Sequence, residues 1–230
     1  MDVHDISFDN HTTSIDNAHV MKLLAVSDEV VDWIYSAQLR ERCADVDLVV
    51  SCGDLPISYL EFIASSLNKP CYFVRGNHDT YVFSPTGEVT SAPEGWINLD
   101  KRVSRCNDVV LAGLEGCIRY KPSAPYQYTQ AEQRWRAMML SRQLWLRQLT
   151  RGRGMDVLIA HSPAYGIHDA TDHAHVGFQA LNWLIDTFKP RLMLHGHQHR
   201  NYSPRQTGET HVGDTHVINV HPYRILELPV

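Results

Sequence analysis

An α/β fold is predicted by three observations. Apolar runs of strand length alternate with segments of helical spacing from Met21 onward. Several of those runs stop abruptly at Asp, Asn or His. The chain has 230 residues with 43% hydrophobic content, which suits one domain with a sizeable core.

The elements follow in order. Residues 1–20 are polar and without periodicity, a leader that contains His4, His11 and His19. Met21–Ser27 reads as a buried strand. Val30–Cys43 carries Val30, Ile34, Ala37 and Leu39 at helical spacing. Asp47–Cys52 is a second buried strand. Pro56 opens a helix to about Leu67, where a first-turn proline is acceptable. Pro70–Val74 is a third strand.

Residues 80–107 hold turn signals, Ser84–Gly87 and Ala92–Gly95, and short strand candidates. Asp108–Leu114 is a strand, and 116–128 a surface loop rich in Tyr and Pro. Thr129–Thr150 is a long amphipathic helix, with Glu132 completing a capping box on Thr129. Arg151-Gly152-Arg153-Gly154 ends it. Then come a strand (Met155–Ala160), a polar loop, a helix (Gly177–Phe188) and a strand (Arg191–Leu194). A final hairpin is expected from His211–Val220 and Tyr223–Leu228. No repeat or linker divides residues 21–230, so they read as a single domain.

Charge and cysteines exclude several functions. Net charge is −5 with histidines neutral, so no basic footprint marks a dedicated nucleic-acid surface. Cys43, Cys52, Cys71, Cys106 and Cys117 form no CxxC pair and read as buried reduced thiols. No apolar run approaches the roughly 18 residues of a membrane span. With no signal-peptide pattern at the N-terminus, cytoplasmic residence is the expectation.

The chemistry sits at the strand ends. The first strand ends at Asp28, the second at Gly53-Asp54 and the third at Gly76-Asn77-His78-Asp79. Val157–Ala160 ends at His161, and Leu192–Leu194 at His195-Gly196-His197-Gln198-His199. The carboxyl ends of neighbouring strands in an α/β sheet converge on one crevice. Asp, Asn and His there form a nitrogen/oxygen set suited to Mn, Fe or Zn.

This set resembles the calcineurin-like metallophosphoesterase superfamily, whose pattern is D-x-H, G-D, G-N-H-D/E, H and G-H-x-H. The resemblance runs from about Met21 to the C-terminus. It implies an αββα sandwich of two mixed sheets flanked by helices. It also implies two divalent ions (Mn, Fe, Zn or Ni, with Mn favoured) bridged by Asp54. Asn77, His161 and His197 would complete one ion's set, and Asp28 and His199 would serve the other. Gly53, Gly76 and Gly196 would let the backbone turn beside the ions. His78 would contact the phosphate and protonate the leaving oxygen, with Asp79 orienting its ring. The implied reaction is in-line attack of a metal-bound hydroxide on phosphorus.

One motif departs from the pattern. Where the family has D-x-H, this chain reads Asp28-Glu29-Val30, so one ion loses an imidazole. Three consequences are open: a weak or exchangeable second ion, a replacement ligand from elsewhere, or loss of catalysis. Glu29 is adjacent, and the loop Gly166–His175 offers further donors, His168 and His175 foremost. The remaining set is intact, which favours a working enzyme.

Substrate contacts are expected from Arg75, Arg119 and Tyr120, and from His168 and His175 at the site mouth. Without a capping or nucleic-acid-binding segment, the expected substrate is a small phosphodiester, nucleotides included. A single-strand nuclease and a non-catalytic, metal-stabilised binding protein are the alternatives.

Overall fold

The structure, a computed structural model, describes residues 20–79, 82–83, 89–90, 92–199 and 208–229. Apart from Val20, the polar leader lies outside the described residues, as does the turn signal at 84–87. In chain order the strands are β1 (Val20–Val26), β2 (Leu48–Ser51), β3 (Cys71–Phe73), β4 (Val82–Phe83), β5 (Val89–Thr90), β6 (Trp96–Asn98), β7 (Val103–Cys106) and β8 (Val109–Leu114). They continue with β9 (Cys117–Ile118), β10 (Gln127–Tyr128), β11 (Val157–Ala160), β12 (Leu192–His195), β13 (Glu209–Val212), β14 (Thr215–Asn219) and β15 (Tyr223–Pro229). The helices are α1 (Gln38–Arg42), α2 (Ile57–Leu67), α3 (Gln130–Arg151) and α4 (Gln179–Phe188).

Two mixed sheets form the body. The first has the order β15-β1-β2-β3-β6, parallel except for β15 at its edge. The second has the order β13-β14-β12-β11-β8-β7, with four parallel strands between antiparallel edges. Leu23, Ala25, Leu48 and Val50 of the first sheet pack against Leu111, Ile159, Leu194 and Ile218 of the second. On its other face the first sheet buries Leu24, Val26 and Val49 with Leu39 of α1 and Tyr59, Leu60 and Ile63 of α2. The second sheet buries Val110, Leu158 and Met193 with Leu140 and Leu144 of α3 and Leu181 and Leu184 of α4. The result is the expected αββα sandwich, and strands buried on both faces explain the near-continuous apolar runs. All five cysteines are buried and free. No helix among the described residues is long and apolar enough to cross a membrane.

Local chemistry sets the elements. The Thr129 side chain accepts from the Glu132 amide, and Glu132 accepts from the Thr129 amide, the capping box that starts α3. Two expectations are corrected. The segment Val30–Cys43 is not one helix, because only Gln38–Arg42 is helical. The Ser36 hydroxyl donates to the Trp33 carbonyl and accepts from the Gln38 amide, which competes with a continuous helix.

The last strands also differ from expectation. His211–Val220 folds on itself as the β13–β14 hairpin, with Gly213 in the left-handed region at the turn. Tyr223–Pro229 then crosses to the other sheet and pairs with β1. Both sides of β14 are taken by β13 and β12, whereas β1 offers β15 a seven-residue antiparallel register.

Leu111 is fully buried between the sheets. Leu111→Ala is expected to lower stability by about 2–5 kcal/mol, read as a shift of the urea midpoint with unchanged slope.

Candidate metal centre

Strands from both sheets end at one rim. Asp28, Asp54 and Asn77 follow β1, β2 and β3 of the first sheet, while His161 follows β11 and His197 and His199 follow β12 of the second. The inter-sheet core therefore delivers carboxylates from one side and imidazoles from the other.

His161 is fully buried. Its Nδ1 lies 2.8 Å from the Cys52 carbonyl oxygen. A carbonyl can only accept, so Nδ1 carries a hydrogen and Nε2 is the atom turned toward the other donors. Around that Nε2 stand Asn77 Oδ1 at 3.1 Å, His197 Nδ1 at 3.1 Å and Asp54 Oδ2 at 3.3 Å. His197 is set in the same way, because its Nε2 lies 2.9 Å from the Ala174 carbonyl oxygen. Its lone pair is therefore on Nδ1, toward His161.

Four electron-rich atoms thus converge, an arrangement that a proton or a cation must hold together. Donor atoms of Asp54, His161 and His197 all lie within 4.8 Å of one another, and these residues could hold a divalent ion. Charges follow the same geometry. Burial disfavours the charged form of His161, but Asp54 and Asp28 raise its pKa to about 9. Burial pushes the Asp54 carboxyl up, and the His161 imidazole and His78 amide more than offset this, holding it at about 2. Burial and the nearby His161 push His197 down to about 3. The proton on His161 stands where a cation fits, and cation binding would release it.

The second half is looser. Both Asp28 carboxylate oxygens accept from the His197 amide, at 3.1 and 3.0 Å. The Asp28 amide donates to the Gly53 carbonyl. His199 Nε2 stands 4.0 Å from Asp28 Oδ1, on a side chain 47% exposed. Val30, exposed and apolar, brings no donor.

Two glycines make this closeness possible. A Cβ on Gly76 would stand 2.0 Å from Asp54 Oδ1 and 2.7 Å from His161 Cε1. A Cβ on Gly196 would stand 2.4 Å from Asp28 Oδ2. Asp28, Asp54 and His197 themselves have φ of 66°, 58° and 67°, the left-handed region that non-glycine residues rarely occupy.

The other site residues divide. His78 is exposed and lines an open cleft of about 500 Å³ with Asp54, Arg75, Ser58 and Phe73, while its amide donates to Asp54 Oδ1. The Asp79 carboxylate accepts from the Leu55 and Gly76 amides, at 3.2 and 2.8 Å, and does not orient the His78 ring. Its bonds join the two aspartate and asparagine loops instead. Burial and the Asp54 charge raise its pKa to about 6. The Tyr120 hydroxyl accepts from the Asn77 amide nitrogen at 3.1 Å, which turns Asn77 Oδ1 toward His161.

Arg75 lines the cleft from above Phe73, with Nη1 3.4 Å from Glu115. Glu115 is buried and also meets Arg136 at 3.2 Å and the Tyr128 hydroxyl at 2.8 Å. His175 reaches the mouth, its ring 5.1 Å from that of His197 and its Nδ1 2.6 Å from Asp172.

Arg119 and His168 are not brought to the site. Arg119 binds the Gln127 carbonyl and the Glu132 carboxylate, which serves the start of α3. The His168 ring nitrogens face His195 and Thr210, at 2.9 and 2.8 Å. Sequence reasoning missed Glu115, which has no motif, and the Cys52 and Ala174 carbonyls, which no side-chain pattern reveals.

Residues 3–201 match the model of the calcineurin-like phosphoesterase family. An uncharacterized protein of Haemophilus influenzae is 27% identical over 174 residues, covering 68% of this chain and 74% of its own. The crystal structure of TT1561 of Thermus thermophilus is similar in fold, with a TM-score of 0.57 at 18% identity, over 88% of this chain and 89% of that one.

Two substitutions separate the roles of these residues. Gly76→Ala is expected to displace Asp54 and His161 and abolish tight Mn²⁺ binding in a calorimetric titration, with the far-UV spectrum preserved. Arg119→Ala should lower stability by only ~0.5–1 kcal/mol and leave Mn²⁺ binding unchanged.

Proposed function

The chain belongs to the calcineurin-like phosphoesterase family, and from that membership we propose that it is a metal-dependent phosphodiesterase acting on small phosphodiesters. One observation carries the reading. His161 and His197 are each held through one ring nitrogen by a backbone carbonyl, so that both lone pairs meet Asp54 and Asn77 at one point. Fixed tautomers of this kind are how proteins prepare imidazoles for a divalent ion.

On this reading Asp54, Asn77, His161 and His197 would hold one ion, while Asp54, Asp28 and His199 would contribute to a second. Bound divalent ions supply charge neutralisation at the phosphoryl oxygens and lower the pKa of a bound water. The rest falls to the chain. His78, on the rim of the cleft, protonates the departing oxygen. Arg75 approaches the phosphate as a cation whose position is set by Glu115. Asp79 is a positioning residue, because it ties the Asp54 and Asn77 loops together.

The cleft beside His78 supports a diester with a small organic group. It measures about 500 Å³ and is walled by Leu55, Pro56, Ile57 and Phe73, with Ser58, Glu61 and Arg75 as its polar points. Pockets of this size and character suit small molecules.

The test is hydrolysis of bis(4-nitrophenyl) phosphate and 4-nitrophenyl phosphate with added Mn²⁺. Faster turnover of the diester is expected, with Asp54→Ala inactive and His78→Ala reduced about 10²–10⁴-fold in kcat. Full Mn²⁺-dependent activity in Asp54→Ala removes the site assignment. Mn²⁺ binding without turnover of either ester would point to a binding protein.

A further inference from the structure

Val30 leaves the Asp28–His199 half of the centre one imidazole short of the family pattern. We propose that His221 supplies the missing imidazole, as a ligand for the second divalent ion beside Asp28 and His199. This rests on the metal-site reading above.

Strand register places His221. β14 runs parallel to β12 with Asn219 opposite His195. Two residues further on, His221 is the counterpart on β14 of His197 on β12. It lies two residues past the end of β14, after Val217-Ile218-Asn219-Val220, so a further strand of this sheet ends near a metal-binding residue type.

Hydrogen bonds fix it against both neighbours. The Asn219 side chain accepts from the His221 amide at 3.0 Å and donates to the Gln198 carbonyl at 2.7 Å, between His197 and His199. The carbonyl of Pro222 accepts from the Ser27 amide, one residue before Asp28, at 3.1 Å. A single amide side chain therefore locks His221 to the G-H-x-H segment, and the next residue locks it to the Asp28 segment.

The side chain lies beside His199. It is 5% exposed, and its ring centroid lies 4.6 Å from that of His199 at an interplanar angle of 31°. His221 Nε2 is 3.5 Å from the carboxylate of Glu29. That is ion-pair range, so a carboxylate stands beside this ring at the rim, on the segment that follows Asp28. An imidazole buried at this rim is a ligand type suited to Mn, Fe, Zn or Ni.

The experiment is titration of the chelator-stripped full chain with Mn²⁺ by calorimetry, together with the visible spectrum of the Co²⁺-loaded protein. The native chain is expected to bind two equivalents. His221→Ala should keep the first and weaken the second by at least about tenfold, since loss of even an orienting group has that effect. Its Co²⁺ bands should change accordingly. Val30→His added to His221→Ala should restore the second equivalent, because it returns the family's imidazole. His221→Gln, of similar size, carries the test if the alanine variant loses its far-UV spectrum.

Two native-like equivalents in both His221 variants would overturn the proposal, as would a native chain that binds one equivalent unchanged by His221→Ala. Asp54→Ala separates the two readings. If it binds both ions normally, the metal site itself is misplaced; if it loses them while the His221 variants do not, only the role of His221 fails.

Discussion

The contact on which the rest of the centre depends is the one from His161 Nδ1 to the Cys52 carbonyl, 2.8 Å across the gap between the sheets. His161 follows β11 of the second sheet, and Cys52 follows β2 of the first. The bond forms only because the two sheets pack face to face with parallel strands ending at the same rim. It sets the tautomer of a fully buried ring and hence the atom that faces Asp54, Asn77 and His197. Hydrophobic packing between the sheets is therefore transmitted to the donor geometry through one hydrogen bond. A slip of either sheet by a strand residue would turn the imidazole away, because side-chain direction alternates along a strand.

That packing also explains the strained backbone. Left-handed conformations at non-glycine residues cost of order 1–3 kcal/mol each and persist where the surroundings over-determine them. Asp28, Asp54 and His197 share such conformations. Asp54 is held by the His78 amide, and Asp28 by the His197 amide and the Gly53 carbonyl. The carboxylates are thus oriented by backbone groups from the opposite loop. The empty side-chain positions of Gly76 and Gly196 let those loops approach.

Much of this was legible in the sequence, for a physical reason. Strands buried on both faces write themselves as apolar runs, and residues at their carboxyl ends fall on one rim whatever the loop details. That rule brought Asp28, Asp54, Asn77, His161, His197 and His199 together from one chain. What failed depended on contacts distant in sequence or on local competition. Ser36 breaks the expected first helix through its own hydroxyl. Arg119 looked available until Glu132, thirteen residues on, claimed it. His168 faces His195 and Thr210 because the long loop folds over the second sheet. The crossing of β15 to the first sheet depends on which edge is open, a property of the assembled sandwich alone.

The two halves of the centre differ in enclosure, and this bears on how they work. His161 and His197 are buried, and the Ala174 carbonyl of the loop at the site mouth fixes His197. The same loop donates His175, whose carbonyl accepts from the Gln198 side chain beneath it. Movement of this loop would therefore release the orientation of His197 together with the mouth of the site, so access and ligand geometry are coupled. Among the described residues, no such loop carbonyl encloses His199, whose side chain is nearly half exposed. On the proposed two-ion reading, a divalent ion in that half would exchange more easily than one enclosed by Asp54, His161 and His197. The absent family histidine at Val30 falls on the exposed side, where any imidazole that replaces it must come from a neighbouring strand end; β14, next to β12 in the sheet, is the strand placed to provide one.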